Sequence, residues 1–354
     1  MIVEGSTVEV GSGARIDVSG SAGGQVSLGG GFQGQDSTIK NAATTSVEAG
    51  GLIIADGTGD GAAGRVVVWA DQRTEFRGEI RSEASGSGDG GFVEVSGKNS
   101  LLFDGIVSTL SSGGGRTGTL LLDPTNFTIT PGNDASTVNS IGSTTLISML
   151  GTNNVIIATD TLGTEEGDIT VAAGATVTWN NANALTLLAH DDIFVNASLQ
   201  NAGTGGVHLI AGWDGIANAP GAPGASPTAT AVTAADFVPA AYGNGDGSVF
   251  IGNAAQTSAV RVGSRGGATT VAGHGLSVSG STSTAGAASQ LGFFANGAGA
   301  MTGDLALSLK AGGLTVAGGT TDSYAQIGHG GAGSTNGAAI SGAISANFSA
   351  PGTV

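Results

Sequence analysis

The stretch "AHDDI" sets His190 beside Asp191 and Asp192, an imidazole next to two carboxylates, which are side chains of general acid–base chemistry. Asp192, however, opens a strand in which Ile193 and Val195 point to one side. The trio therefore reads as a corner, where short polar side chains cap turns. His208, His274 and His329 are scattered without metal-ligand spacing, and His329 in "QIGHGG" reads as another corner residue. "GxGDG" occurs at 57–61, 86–90 and 243–247, with Asp60, Asp89 and Asp246 in the fourth position. Calcium-binding β-rolls place the Asp one residue later and repeat in tandem, so that adjacent turns share each ion. These copies do neither and read as turns that feed strands, with weak calcium binding left open. Trp69, Trp179, Trp213, Tyr242 and Tyr324 are the side chains able to form a platform for sugar, and Trp69 and Trp179 fall within strands. No residue is assigned a catalytic, cofactor-binding or metal-ligating role.

The elements that position these residues are strands. In "RTEFRGEIRSE", residues 73 to 83, Arg73, Glu75, Arg77, Glu79, Arg81 and Glu83 alternate with Thr74, Phe76, Gly78, Ile80 and Ser82. A period of two marks a half-buried strand, with its charges in solvent. What the other face packs against follows from a repeat. "AGRVVVWAD", "GGFVEVSGK" and "TGTLLLDPT" align so that Val66, Val93 and Leu120 recur every 27 residues. Gly51, Gly78 and Gly105 share the spacing, as do Ile53, Ile80 and Val107, and Phe76 with Phe103. A weaker copy, "GGQVSLGG" at 23–30, lies 40 residues upstream, as though one unit were longer or degenerate.

A unit of this length holds about three short strands, one coil of a parallel β-helix, whose inward residues stack on their equivalents in the next coil. The expected fold is all-β, a parallel β-helix solenoid with loop insertions. Residues 1–124 carry regular coils in the 27-residue register, and 125–216 continue it less regularly. Residues 217–242, with four prolines, form a Pro/Ala-rich insertion looping off the coil, and 243–354 return to coils. The stretch 136–151, with apolar Val138, Ile141, Leu146 and Leu150, fits a short helix about as well as irregular backbone. At ~4.8 Å per coil, ~14–17 coils would make a rod of about 65–80 Å.

Composition supports this reading. Of 354 residues 66 are Gly, as frequent tight corners require, while aromatics at 5% leave a narrow aliphatic core. Mean hydropathy of +0.21 excludes solvated disorder. The net charge of −16 and the interleaving of Arg73, Arg77 and Arg81 with Glu argue against nucleic-acid binding. The absence of cysteine suits a chain exported unfolded. No signal peptide opens the chain, and no apolar run is long enough to span a bilayer as a helix.

Several segments resemble the filamentous-haemagglutinin-type exoproteins, large adhesins of bacterial two-partner secretion. They are "VVVWADQRTEFRGEI", "GDGGFVEVSGK", "GTLLLDPTNFTI", "GDITVAAGATVTWNNANALTLLAHDDIFVNASL" and "YAQIGHGG", covering about residues 50 to 331. The resemblance implies a right-handed parallel β-helix, export to the bacterial cell surface or medium, and adhesion to a host glycan or protein receptor. Such exoproteins begin with a secretion domain carrying an Asn-Pro-Asn-type motif, which the outer-membrane pore recognises. No Asn-Pro dipeptide occurs here, so the chain is expected to be an internal segment without that domain.

Two functions compete: a non-enzymatic structural and adhesive stalk, and a carbohydrate-active β-helix enzyme, either a polysaccharide lyase or a hydrolase. An enzyme needs carboxylates clustered across coils. In the 27-residue register Asp71 maps to Lys98 and Thr125, Glu75 to Leu102, and Arg77 to Asp104, so no carboxylate column emerges. The stalk is favoured, with end-to-end self-association expected at unpaired strand edges.

Overall fold

The computed structural model describes residues 1–133, 137–160, 165–213, 246–294, 299–331 and 339–348. The expected insertion at 217–242 lies outside them. Strand dominates, and all strand pairs among the described residues are parallel. Parallel neighbours cannot be joined by a tight hairpin, so each strand pairs with one in the next repeat. Arg65–Ala70 lies between Gln25–Leu28 and Phe92–Gly97. Arg73–Phe76 lies between Thr44–Val47 and Leu101–Phe103, and Glu79–Arg81 between Leu52–Ile54 and Ile106–Ser108. Successive strands of a repeat thus feed three columns.

The first two columns merge into one 20-stranded sheet, because Thr269–Ser279 and Leu305–Ala317 run through both. The third is split into four-stranded and five-stranded sheets. Among the described residues eleven strands stack in the first column, from Ile2–Val3 to Ile344–Phe348. This is fewer than the 14–17 repeats anticipated, because long connections, such as that between Leu28 and Thr44, use residues without adding strands.

The register matches the sequence repeat. Val66 pairs with Val93 and Val93 with Leu120, while Ile80 lies between Ile53 and Val107. Phe76 pairs with Phe103, both fully buried, their rings 5.4 Å apart at 31°. The corners explain the glycine column. A Cβ on Gly78 would lie 2.6 Å from the Gly51 carbonyl oxygen, and one on Gly105 would lie 2.5 Å from that of Gly78. Thr74, Phe76, Gly78, Ile80 and Ser82 are buried, and none of the intervening charged residues is. Arg73 and Arg77 both pair with Glu75, and Arg81 with Asp56.

The helix left open by sequence forms over Ser143–Thr152, and Ile141 belongs to the preceding strand Ser140–Gly142. Val138 is exposed, whereas Leu146, Met149 and Leu150 are buried. The helix takes a third-column position, packing between Ile106–Ser108 and Val177–Trp179. A helix leaves its last carbonyls without backbone partners. Here Asn181 and Asn183 donate side-chain N–H groups to the Leu150 carbonyl, at 2.9 and 2.8 Å, and Asn153 donates to that of Met149.

Stacked core and solvated charge should respond differently to substitution. Phe103→Ala should cost about 3–5 kcal/mol in denaturant unfolding, as large-to-small changes of buried Phe do. Glu75→Ser should cost ~1 kcal/mol or less, as exposed ion pairs do. A Phe103→Ala loss no larger than that of Glu75→Ser would contradict the ring stacking.

Candidate functional site

Alternation in Phe92–Gly97 sends Val93 and Val95 to the main core and Phe92, Glu94 and Ser96 to the opposite face. That second face is also buried. Its cover includes the residues that lengthen the weak repeat to 40. They leave Gln25–Leu28, form a short 3-10 turn at Phe32–Gly34 and return at Thr44–Val47. Phe32 packs on Phe92 with ring centroids 6.0 Å apart, and the Arg65 guanidinium lies over both rings. A second apolar cluster, including Leu121, Ile156, Leu188 and Trp213, continues along this face.

Inside this cover are two carboxyls whose pairing sequence reasoning did not find. Glu94 is fully buried and Asp123 is 7% exposed. Gln33 bridges them. Its backbone N–H donates to both Glu94 oxygens, at 3.0 and 3.2 Å, and its side-chain amide donates to Asp123 Oδ2 at 2.8 Å. Gln33 does so at φ 50°, a left-handed conformation that costs a non-glycine residue roughly 1–3 kcal/mol. Gly34, at φ 63°, lies flat on Trp69, where a Cβ would sit 2.4 Å from the indole.

Burial, reinforced by the Asp123 charge, pushes the Glu94 carboxyl up to about 8 against the Gln33 N–H and Arg65. Burial pushes Asp123 up to about 7, with Asp160 adding to the rise and the Gln33 amide opposing it. Beside them is a cavity of about 160 Å³, walled by Trp69, Trp213, Asp71, Lys98, Asp123 and Asp160, among others. Asp71, Lys98 and Thr125, which share one register position, all line it. Asp71 accepts hydrogen bonds from Trp69 Nε1 and Asn41 Nδ2, at 3.1 and 3.0 Å. Such a wall can hold a polar ligand. Glu94 lies behind it, its oxygens engaged by Gln33, poorly placed to exchange a proton with a substrate.

Of the residues singled out in sequence, Trp69, Trp213, Asp71, Lys98 and Thr125 line this cavity, and the other described ones lie elsewhere. His190, Asp191 and Asp192 are half-buried at a corner. Asp168 Oδ1 accepts the Asp192 N–H and Asp192 Oδ1 accepts the Ser248 N–H, so these carboxylates cap successive repeats. Asp168, Asp191 and Asp192 have oxygens within 4.8 Å of one another, and burial with this crowding pushes Asp191 up to about 6. Acidic groups therefore do align across repeats, in the less regular half, where the 27-residue test did not reach.

His208 is buried, which pulls its imidazole down to about 4. His329 is buried at its corner, where its ring accepts the Phe293 N–H. His274 sits at a register shift between Gly273 and Gly275. The first two "GxGDG" copies stand 29 residues apart and thus miss the 27-residue register. Asp60 meets Ser87, and Asp89 pairs with Arg116, so the two aspartates do not stack to share an ion. Trp69 and Trp179 lie in strands, both buried, and Tyr324 is half-buried. Tyr242 lies outside the described residues.

No family model and no curated protein matches the chain.

The buried carboxyls make stability depend on pH. Both hold their proton more tightly when folded than when unfolded, so their contribution is complete below the ordinary carboxylate range and lost as pH rises toward about 8. Urea midpoints should fall between pH 5 and pH 8, and Glu94→Gln, which keeps an acceptor for the Gln33 N–H, should flatten that fall. Equal slopes in the wild-type protein and the variant would mean that Glu94 titrates normally.

Proposed function

We propose that the three strand columns wind as a right-handed parallel β-helix, and that the chain is a non-catalytic stalk segment of a secreted bacterial surface adhesin. The observation that carries this reading is the unbroken parallel pairing of each repeat with the next, from Ile2–Val3 to Ile344–Phe348. Right-handedness follows from the strong preference of parallel crossovers for that hand. A stack whose units touch only their neighbours lengthens by adding units, which suits presenting a distal binding site. The filamentous-haemagglutinin-type segments supply the adhesin assignment, and with it export through an outer-membrane pore and a host glycan or protein receptor. Among the described residues no helix is long and apolar enough to cross a membrane.

The carbohydrate-active enzyme is the second reading, and the raised carboxyls beside a tryptophan-lined cavity favour it. Against it stands the burial of Glu94, whose two oxygens are held by the Gln33 N–H. Exposed Ile344 and Phe348 on the last described strand support end-to-end association.

Small-angle scattering of the dilute protein should give an elongated particle, since eleven strands at ~4.8 Å make a stack of about 50 Å. Assays on uronate polymers and neutral glycans should release no sugar. Turnover abolished by Asp123→Asn would replace the stalk with the enzyme.

A further inference from the structure

The second column turns two aromatic side chains outward. In Ile193–Val195 and Val249–Ile251 the flanking aliphatics are buried, while Phe194 and Phe250 between them are only half-buried on the outer face. The two pair in register, and their rings stack at 5.1 Å and 10°. Thr170 precedes Phe194 in this outward row, and Ser277 and Thr315 follow Phe250. Ser277 is far shorter than a ring, so the stack stops there, and the Phe250 face turned away from Phe194 has no ring on it. A groove of about 410 Å³ opens at this point, lined by both phenylalanines, Ser277, Ser279 and Ala317, among others. That volume lies in the range of small-molecule sites. Ser277 and Ser279 point the same way, with hydroxyl oxygens 3.2 Å apart. Only one of them can donate in that bond, so one O–H and further lone pairs remain for another molecule. Asn196 and Asn253, joined by a 2.6 Å bond from Nδ2 of the second to Oδ1 of the first, add amide groups to the wall.

We propose that this groove binds a neutral sugar, one pyranose ring taking the rung that Ser277 leaves empty beside Phe250. The gap is one strand spacing thick, ~4.8 Å, which suits a ring stacked face-on. The C–H face of a pyranose meets the electron-rich face of the phenylalanine, and its hydroxyls meet the two serines. Sequence points to Trp and Tyr as sugar platforms, but a phenylalanine offers the same kind of apolar face once alternation turns it outward. Charge narrows the ligand further. No charged side chain lines the groove among the described residues, in a chain of net charge −16. An anion therefore meets no cation to offset the repulsion, and a cation finds no carboxylate partner in the wall. The site needs neither the stalk nor the enzyme reading, because ordinary strands of the stack build it.

The test is titration of the full chain with methyl hexopyranosides, followed by calorimetry and ligand-observed NMR. Glucuronate and glucosamine present the same ring with a negative or a positive charge, and 4-methylphenol stands for a tyrosine side chain of a protein partner. A neutral hexoside should bind, and the two charged sugars and the phenol should bind more weakly or not at all. Phe250→Ala removes the platform, and affinity should fall roughly tenfold. In case that variant misfolds, Ser277→Phe continues the aromatic stack into the groove; it should abolish binding while the urea midpoint stays level or rises. Glu75→Ser, in an earlier repeat, should bind as the wild-type protein does. A glycan array separates the sources: signal on glycans ending in the bound sugar, lost in Ser277→Phe, assigns a glycan terminus, and binding of free sugar alone assigns a soluble one. The proposal is overturned if no neutral hexoside binds, if a charged sugar or the phenol binds best, or if binding survives both Phe250→Ala and Ser277→Phe.

Discussion

Every feature of this molecule depends on one constraint, that a residue sits directly against its equivalent in the next repeat at the spacing of parallel strands. A side chain must therefore pack against a near-copy of itself. Aliphatic side chains do this well, which is why Val66, Val93 and Leu120 form a continuous ridge. Phe76 and Phe103 stack with modest tilt for the same reason. At the corners the rule acts on backbone: Gly78 lies so close to the Gly51 carbonyl, and Gly105 to that of Gly78, that a Cβ on either has no room. Like charges in register would repel at this spacing, and Arg73 and Arg77 instead pair with Glu75 along their own strand.

What was legible in the sequence is what the constraint repeats. The 27-residue spacing exposed three stacked positions and a glycine corner, because a repeated environment selects repeated residue types. The cover over Glu94 was not legible in this way. Glu94 alternates with Val93 and Val95, so local pattern places it outward, and only the chain that crosses above makes outward mean buried. One signal was present, the 40-residue spacing between Val26 and Val66 in place of 27. Length reports that extra chain exists, not where it folds. The helix Ser143–Thr152 was ambiguous for a related reason. Its apolar positions fit either element, and what secures its end is the side chains of Asn181 and Asn183, far along the chain.

The buried acid pair shows how such an inserted cover alters chemistry without disturbing the stack. Burying a carboxylate in an apolar setting favours its neutral form. Glu94 has Phe92 as its strand neighbour, with Phe32 above that ring, and answers with a raised proton affinity. Gln33 supplies donors to both acids from one residue, and the left-handed backbone that this requires is held by Gly34 lying flat against Trp69. Strain, burial and proton affinity at this site are thus one linked arrangement.

Modularity explains why the stack tolerates these departures. Each repeat is held by the repeats before and after it, so the cost of an irregular unit stays local. Replacing a third-column strand by Ser143–Thr152 splits that column into two sheets, yet the first two columns continue in register through Thr119–Leu122 and Phe127–Thr130. At the helix C-terminus the Leu150 carbonyl, which a strand would have paired through its ladder, is satisfied by Asn181 and Asn183 of the following repeat. Extra chain can likewise be inserted between Leu28 and Thr44 because the strands on either side still find the same partners. New chemistry can therefore be added at the connections, while the columns keep to residues that stack.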